Sequence, residues 1–377
     1  MKIKTVKAGL IGSGQISWTY LNNMINKFEI LEVVGCSDII PERSANRAAE
    51  FGICDMTNEQ ILNDPEIKIV VNTTYPASHY EVNKAALLAG KHVYCEKMIA
   101  VNLEEGRELV SIAKEKNLRL GMAPDTFLGA GFQTARKLID AGMTGEPFMV
   151  QAMVVRAYHQ DRWETPMYEF TRQPGGGIPF DMGGYYMHAI INMLGPVTRV
   201  SGFTQCRNPD RKIRNLKHPR FGEDCKIDTI NALAGSLEFA NGVLGSLTLV
   251  SEGFAETPRI EIYGTEGTLI CPDPNNFGGP VFLKRSGSDF TQMPLTHGYS
   301  SGCCRGLGVA DMAWGIVNNR VHRAHGDMGL HAFEIIHGIR QCSQTGATHD
   351  MQSSCGKPAP LASGYTEPGM DEYALTI

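Results

Sequence analysis

In the first third of the chain the apolar residues gather in short runs, most of them interrupted by one charged residue. They include Val6 to Ile11, Ile30 to Cys36, Ile67 to Val71, Val93 to Cys95 and Leu118 to Met122. Runs of that length, apolar at most positions, predict strands buried largely on both faces. Between them lie segments compatible with helix: Trp18 to Lys27, Pro41 to Phe51, Met56 to Asn63, His79 to Ala89 closed by Gly90, and Leu103 to Asn117. Strands alternating with helices predict βαβ crossovers and a parallel sheet covered on both sides. Such a sheet takes its ligand outside the carboxyl ends of its strands.

Past about residue 123 the pattern changes. Phe127 to Ala141 predicts one more helix, and apolar–polar alternation then marks Phe148 to Tyr158, Thr198 to Cys206, Thr229 to Phe239, Gly242 to Val250, Arg259 to Tyr263 and Thr268 to Cys271. The turns Asn241-Gly242 and Gly264-Thr265-Glu266-Gly267 lie where hairpin connections belong. Late helices are expected over Ala310 to Asn319 and Met328 to Gln344, and an extended or partly disordered arm from Ser353. The expected fold class is α/β plus α+β. A doubly wound α/β domain covers 1–123, and an α+β domain with an open-faced, mostly antiparallel sheet covers 124–377.

The first strand ends in Gly12-x-Gly14-x-x-Ser17, ahead of a helix. The first glycine permits a tight turn and the second a close approach to a pyrophosphate. The small third residue lets helix and strand pack, while the helix N-terminus supplies amide donors and positive potential. The next strand ends at Asp38, where a dinucleotide fold places the carboxylate that holds ribose hydroxyls. Ile39 and Ile40 follow rather than a basic residue, which favours NAD over NADP; Arg43 is the nearest cation that could reach a 2′-phosphate. Gly12, Ser13, Gly14, Gln15, Ile16, Asp38 and Arg43 are therefore the expected cofactor contacts. Thr74, Pro76, His79, Glu96 and Lys97 join them at the ends of the later strands.

A net charge of −5 with no basic run argues against nucleic acid and an anionic membrane surface as partners. No stretch approaches the roughly 20 apolar residues of a membrane span. The ten cysteines form no C-x-x-C pair and read as reduced thiols, hence a cytoplasmic protein. The eleven histidines are scattered without metal-ligand spacing, so no metal is expected.

Gly90-Lys91-His92-Val93-Tyr94-Cys95-Glu96-Lys97, the N-terminal turn and Asn72-Thr73-Thr74-Tyr75-Pro76-x-x-His79 together resemble the Gfo/Idh/MocA family, that of glucose–fructose oxidoreductase and inositol dehydrogenase. Gly145-Glu146-Pro147, Gly175-Gly176-Gly177 and Asp181-Met182-Gly183 extend the resemblance over nearly the whole chain. Met98 stands where the family usually has proline. The resemblance implies oxidation of a secondary hydroxyl of a sugar, cyclitol or glycoside by hydride transfer to NAD, and a homo-oligomer (dimer, tetramer or larger). Oxidation at C3 of a glucose unit in a glycoside is its most specific form.

Removing a hydride from a carbinol also requires a base for the hydroxyl proton. Lys97 qualifies if desolvation and neighbouring cations lower its pKa toward neutrality. Asp181, Tyr185 and His188, at i, i+4 and i+7, share one helix face. Many relatives carry histidine at the position of Tyr185, so His188 becomes the candidate for proton handling. Asp125, Arg156, Tyr158, His159 and Trp163 are softer candidates for substrate contact. Two other functions fit the same features: a glycosidase or lyase that oxidises C3 transiently with bound NAD, and a non-catalytic NAD-binding sensor or partner subunit.

Overall fold

Six strands, β1 (Val6–Ile11), β2 (Leu31–Ser37), β3 (Cys54–Asp55), β4 (Ile69–Asn72), β5 (His92–Cys95) and β6 (Leu120–Met122), form a parallel sheet in the order β3-β2-β1-β4-β5-β6. The computed structural model describes residues 5–157 and 172–363. All four residues of β4 are buried, as a strand covered on both faces must be. The crossovers carry α1 (Gln15–Asn26), α2 (Pro41–Phe51), α3 (Asn58–Asn63), α4 (Pro76–Leu88) and α5 (Leu103–Glu115). Their boundaries follow ordinary capping chemistry: proline in the first turn of α2 and α4, left-handed Gly52 after α2, and a reciprocal Thr57–Gln60 capping box on α3.

A 3-10 turn at Thr126–Leu128 and α6 (Ala130–Asp140) lead into the second sheet. There the expected single helix from Phe127 breaks at Gly129, where a Cβ would meet the backbone of Phe277 at 2.2 Å. Nine strands stack in the order β16-β15-β14-β13-β7-β12-β11-β8-β17. They are β7 (Pro147–Val155), β8 (Val197–Gln205), β11 (Ala232–Phe239), β12 (Leu244–Val250), β13 (Arg259–Gly264), β14 (Gly267–Cys271), β15 (Val281–Arg285), β16 (Thr291–Met293) and β17 (His349–Asp350), with a separate β9 (Asp210–Lys212)–β10 (Asp224–Lys226) hairpin. The expected hairpins form at Asn241-Gly242 and Gly264–Gly267. Among the described residues β7 and β12 are the parallel pair in this sheet, and the other pairings are antiparallel, as the mostly antiparallel expectation has it.

One face of this sheet is buried through Val150, Ala152, Val154, Leu247, Leu249, Ile260 and Ile262. Against it pack α7 (Ile178–Leu194) and the long C-terminal helix α9 (Gly326–Thr345). Phe203 and Leu244 stand exposed on the sheet. A cut at residue 123 separates the two sheets but not the helices. The segment around α8 (Leu307–Val317) returns to β6, where Met122 N donates to Ala324 O and Gly121 bridges His325. The arm after Ser353 is packed as far as it is described. Arg323 donates to the carbonyls of Ala359 and Pro360, Gln133 accepts from Leu361 N, and Cys355 and Leu361 are buried. Those bonds answer the expectation of partial disorder for residues 353–363.

Candidate active site

At Gly12 the backbone takes φ +103°, and a Cβ there would lie 2.6 Å from Thr74 N, so the turn from β1 into α1 requires glycine. At Gly14 a Cβ would meet nothing within 4 Å: the turn faces open space. Gly14 is the N-cap of α1 and brings no side-chain cap, which leaves the first amides of the helix unsatisfied from within. Ser17 is buried and donates its hydroxyl to Gly14 O at 2.6 Å. Asp38 closes the same corner: Oδ2 accepts from Ser13 N at 2.8 Å and Oδ1 from Ile40 N at 2.9 Å. These bonds aim the carboxylate and leave lone pairs on both oxygens.

From this corner a cleft of about 880 Å³ runs along the carboxyl ends of β1, β2, β4 and β5 to the start of α7. Gln15, Ile16, Arg43, Thr74, Pro76, Glu96, Lys97, Asp181 and Tyr185 line it together with Gly12, Gly14 and Asp38. His79 does not. It is buried beneath the wall, with Nδ1 2.6 Å from Met98 O and Nε2 3.0 Å from Thr74 O, tying the loop after β4 to the loop after β5. Burial lowers its pKa, and a neutral ring donates to one of those carbonyls only.

The far end of the cleft holds the charged groups. Lys97, at the end of β5, places Nζ 2.5 Å from Asp181 Oδ1 and 3.0 Å from Asp181 O in the first turn of α7. The ammonium lies 5.5 Å from the centre of the Tyr185 ring, one turn along the same helix. Glu96 is buried; its Oε1 accepts from Tyr20 Oη at 2.7 Å and its Oε2 from Lys97 N at 3.1 Å. The Lys97–Met98 peptide bond is cis. Burial pulls the Lys97 pKa down, but Asp181, then Tyr185 and Glu96, outweigh it, so the net shift is upward. That corrects the expectation of a lysine lowered toward neutrality: the carboxylate facing it is closer than any cation.

His188 lies on the same stripe as Asp181 and Tyr185 but outside the cleft. One turn further along α7, the stripe passes under the Pro124–Phe127 segment. Nδ1 of His188 lies 2.9 Å from Pro124 O, its ring meets Phe127 edge-on at 5.8 Å, and Nε2 is buried without a partner. Burial lowers its pKa to about 4. The structure therefore does not bring it to Lys97 and Asp181 in the cleft, contrary to the proton-handling role expected for it.

Asp125 is fully buried and caps α8, accepting from Gly306 N at 3.0 Å and Gly308 N at 2.9 Å; burial raises its pKa to about 6. Those bonds hold it at the start of α8, outside the cleft lining where a contact with substrate hydroxyls was expected. Arg156 pairs with Glu256 at 2.6 Å and Asp273 at 3.2 Å, away from the cleft lining. Tyr158, His159 and Trp163 lie outside the described residues. Arg305, which the sequence did not flag, lines the cleft and donates to Tyr185 Oη at 3.1 Å and Asn275 Oδ1 at 2.7 Å. It follows two cysteines in a glycine- and serine-rich stretch with no periodicity to mark it. Among the described residues no cluster of histidine, cysteine or carboxylate side chains could hold a metal, and no helix is long and apolar enough to cross a membrane.

Residues 6–123 match the model of the oxidoreductase family with an NAD-binding Rossmann fold, and residues 132–270 match the GFO/IDH/MocA C-terminal domain. The chain belongs to the Gfo/Idh/MocA family. The open turn at Gly14, the uncapped α1 and the aimed Asp38 carboxylate fit the NAD that this family's first domain binds. Among its relatives, an uncharacterized oxidoreductase of Schizosaccharomyces pombe is 29% identical over 197 residues, 50% of this chain and 52% of that protein. The chain thus spans about half the length of that relative. The 1,5-anhydro-D-fructose reductase of Ensifer adhaerens is 28% identical over 267 residues, 70% of this chain and 74% of the reductase. The structure of levoglucosan dehydrogenase in complex with NADH and L-sorbose superposes with a TM-score of 0.81 at 19% identity, covering 93% of this chain and 100% of the dehydrogenase.

Proposed function

We propose that this Gfo/Idh/MocA protein is an NAD(H)-dependent oxidoreductase acting on a secondary hydroxyl of a sugar, cyclitol or glycoside, with Lys97 as general acid/base. The observation that carries the reading is the Lys97–Asp181 pair, set at the end of a dinucleotide cleft and only partly accessible. Bound NAD would supply the hydride acceptor at its nicotinamide; every other part of the chemistry belongs to the chain. Lys97 Nζ donates a hydrogen bond to the reacting oxygen, giving its proton in reduction and taking one in oxidation. Asp181 orients that ammonium. Tyr185 Oη accepts from Arg305, which leaves its own proton free for a neighbouring substrate hydroxyl.

Two relatives named for carbohydrate oxidoreduction, the 1,5-anhydro-D-fructose reductase and levoglucosan dehydrogenase, support the substrate class. C3 of a glucose unit in a glycoside is the specific form we adopt. Exposed Phe203 and Leu244 on the nine-stranded sheet support a homo-oligomer, and ten free cysteines support a cytoplasmic location. The test is purified protein with NAD⁺ and a panel of monosaccharides, inositols, aryl glucosides and sugar acids, followed at 340 nm with a Lys97→Ala control. A rise with one substrate class, lost in the variant, is expected. Glycoside cleavage without net NADH would replace the reading by transient oxidation, and NAD binding without any turnover would leave a binding protein.

A further inference from the structure

The proton and hydride steps leave Arg305 without a task, yet it lines the same cleft as Lys97, Asp181 and Tyr185. Three neutral acceptors hold its guanidinium. One terminal nitrogen donates to Cys303 Sγ at 3.0 Å; the other donates to Tyr185 Oη at 3.1 Å and Asn275 Oδ1 at 2.7 Å. Its backbone is anchored as well, since Asn23 Nδ2 donates to the carbonyls of Cys303 and Arg305 at 2.9 Å each. The group is thus oriented without being neutralised.

The carboxylates around it are engaged elsewhere. Asp181 pairs with Lys97, and Glu96 takes Tyr20 and the Lys97 amide. Asp125 feels the charge of Arg305 but gives its Oδ2 to the amides of Gly306 and Gly308. Of the five N–H donors of a guanidinium, three are committed here, all to neutral atoms. Nε–H and one Nη1–H stay uncommitted, and Arg305 brings its unmatched positive charge to the cleft lining. A half-buried cation held this way is costly until an anion completes it, and a carboxylate does so through the charge and one charge-assisted bond to an uncommitted N–H.

We propose that the substrate carries a carboxylate and that Arg305 is the specificity-determining residue that receives it. The ligand class is an aldonate, uronate or uronide, whose secondary hydroxyl reaches Lys97 while its carboxylate meets Arg305. This rests on the oxidoreductase reading of the same site and replaces the neutral glucose unit named there with a sugar acid.

The test reads binding, not turnover. With NADH saturating, calorimetric titrations compare D-gluconate, D-glucuronate and D-galacturonate with D-glucose and D-galactose, and with D-glucose 6-phosphate as a second kind of anion. At least one acid should bind about tenfold to a hundredfold tighter than its neutral counterpart, as expected for a charge-assisted bond. That preference should vanish in Arg305→Gln and return in part in Arg305→Lys, which keeps the charge but not the planar group that Tyr185, Asn275 and Cys303 orient. NADH affinity within about twofold of the parent in both variants shows that they are folded. Equal affinities, absence of binding, tighter binding of the phosphate, or a preference that survives in Arg305→Gln overturns the proposal. Absence of NADH formation from a ligand that does bind overturns the oxidoreductase reading instead, so the two failures are distinguishable.

Discussion

Lys97 Nζ and Asp181 Oδ1 lie 2.5 Å apart, joining the end of β5 to the first turn of α7 across 84 residues of sequence. The parallel sheet therefore begins a site that the second half of the chain completes. Burial alone would push the amine toward its neutral form, but Asp181 leads the groups that hold it charged. On the proposed mechanism a persistent ammonium is a weaker acid but a fully populated one for protonating a reduced ketone, and the oxidation rate should climb with pH as Lys97 gives up its proton.

Asp181→Asn removes the largest upward influence on Lys97 and leaves burial to lower its pKa. The alkaline limb of the oxidation profile should move to lower pH by about 1–3 units, the usual effect of an adjacent opposite charge. The pH dependence of kcat for NAD⁺ reduction checks this; an unmoved limb would assign the titration to another group.

Asp38 should set cofactor choice. Its carboxylate, fixed by Ser13 N and Ile40 N, opposes a 2′-phosphate. NADP⁺ should bind at least about tenfold more weakly than NAD⁺. Asp38→Ser should narrow that gap chiefly by weakening NAD⁺, with Arg43 on the cleft wall able to meet the phosphate. Kd values for both cofactors in both proteins are the measurement.

His188 should matter to stability and not to chemistry. His188→Gln should change kcat/KM by less than about threefold, where loss of a general acid/base costs about 10²–10⁴. It should lower stability by about 1–2 kcal/mol through its buried hydrogen bond. Because burial depresses the folded-state pKa to about 4, the contribution is present above the unfolded value near 6.5 and is lost as pH falls toward 4. His331 and His337, also lowered to about 4 by burial, add to the same loss. Melting temperatures from pH 7 to pH 4 should fall, and less steeply in the variant.

Asp125 works in the opposite sense. Its folded-state pKa is raised to about 6 by burial, so ionisation weakens the fold as pH rises from about 4 to 6. Asp125→Asn keeps an oxygen for the Gly306 and Gly308 amides and removes the charge. At pH 8 it should be about 2–3 kcal/mol more stable than the parent, with the difference closing near pH 4. Denaturant titrations at the two pH values decide it.

What the sequence made legible was local. Val6 to Ser17 and the strand ending at Asp38 announce a phosphate-binding turn and a ribose acid through spacing alone, and the ends of β4 and β5 bring Thr74, Pro76, Glu96 and Lys97 to the same edge. Depth was not legible. Helical period put His188 beside Asp181 and Tyr185, but whether that face meets solvent depends on Pro124–Phe127, which belongs to a different element. Asp125 follows a strand end as a site residue would, yet α8, far along the chain, captures it. Arg305 and Asn275 lie in segments without periodicity, and only tertiary packing delivers them to Tyr185.

The most direct test of Lys97 as the proton-transfer group is Lys97→Met on the best substrate, with kcat and the NADH Kd measured together. The account predicts a fall in kcat of about 10²–10⁴ while the NADH Kd stays within about twofold. A kcat within tenfold of the parent would contradict it and move the proton chemistry to Tyr185 or to water.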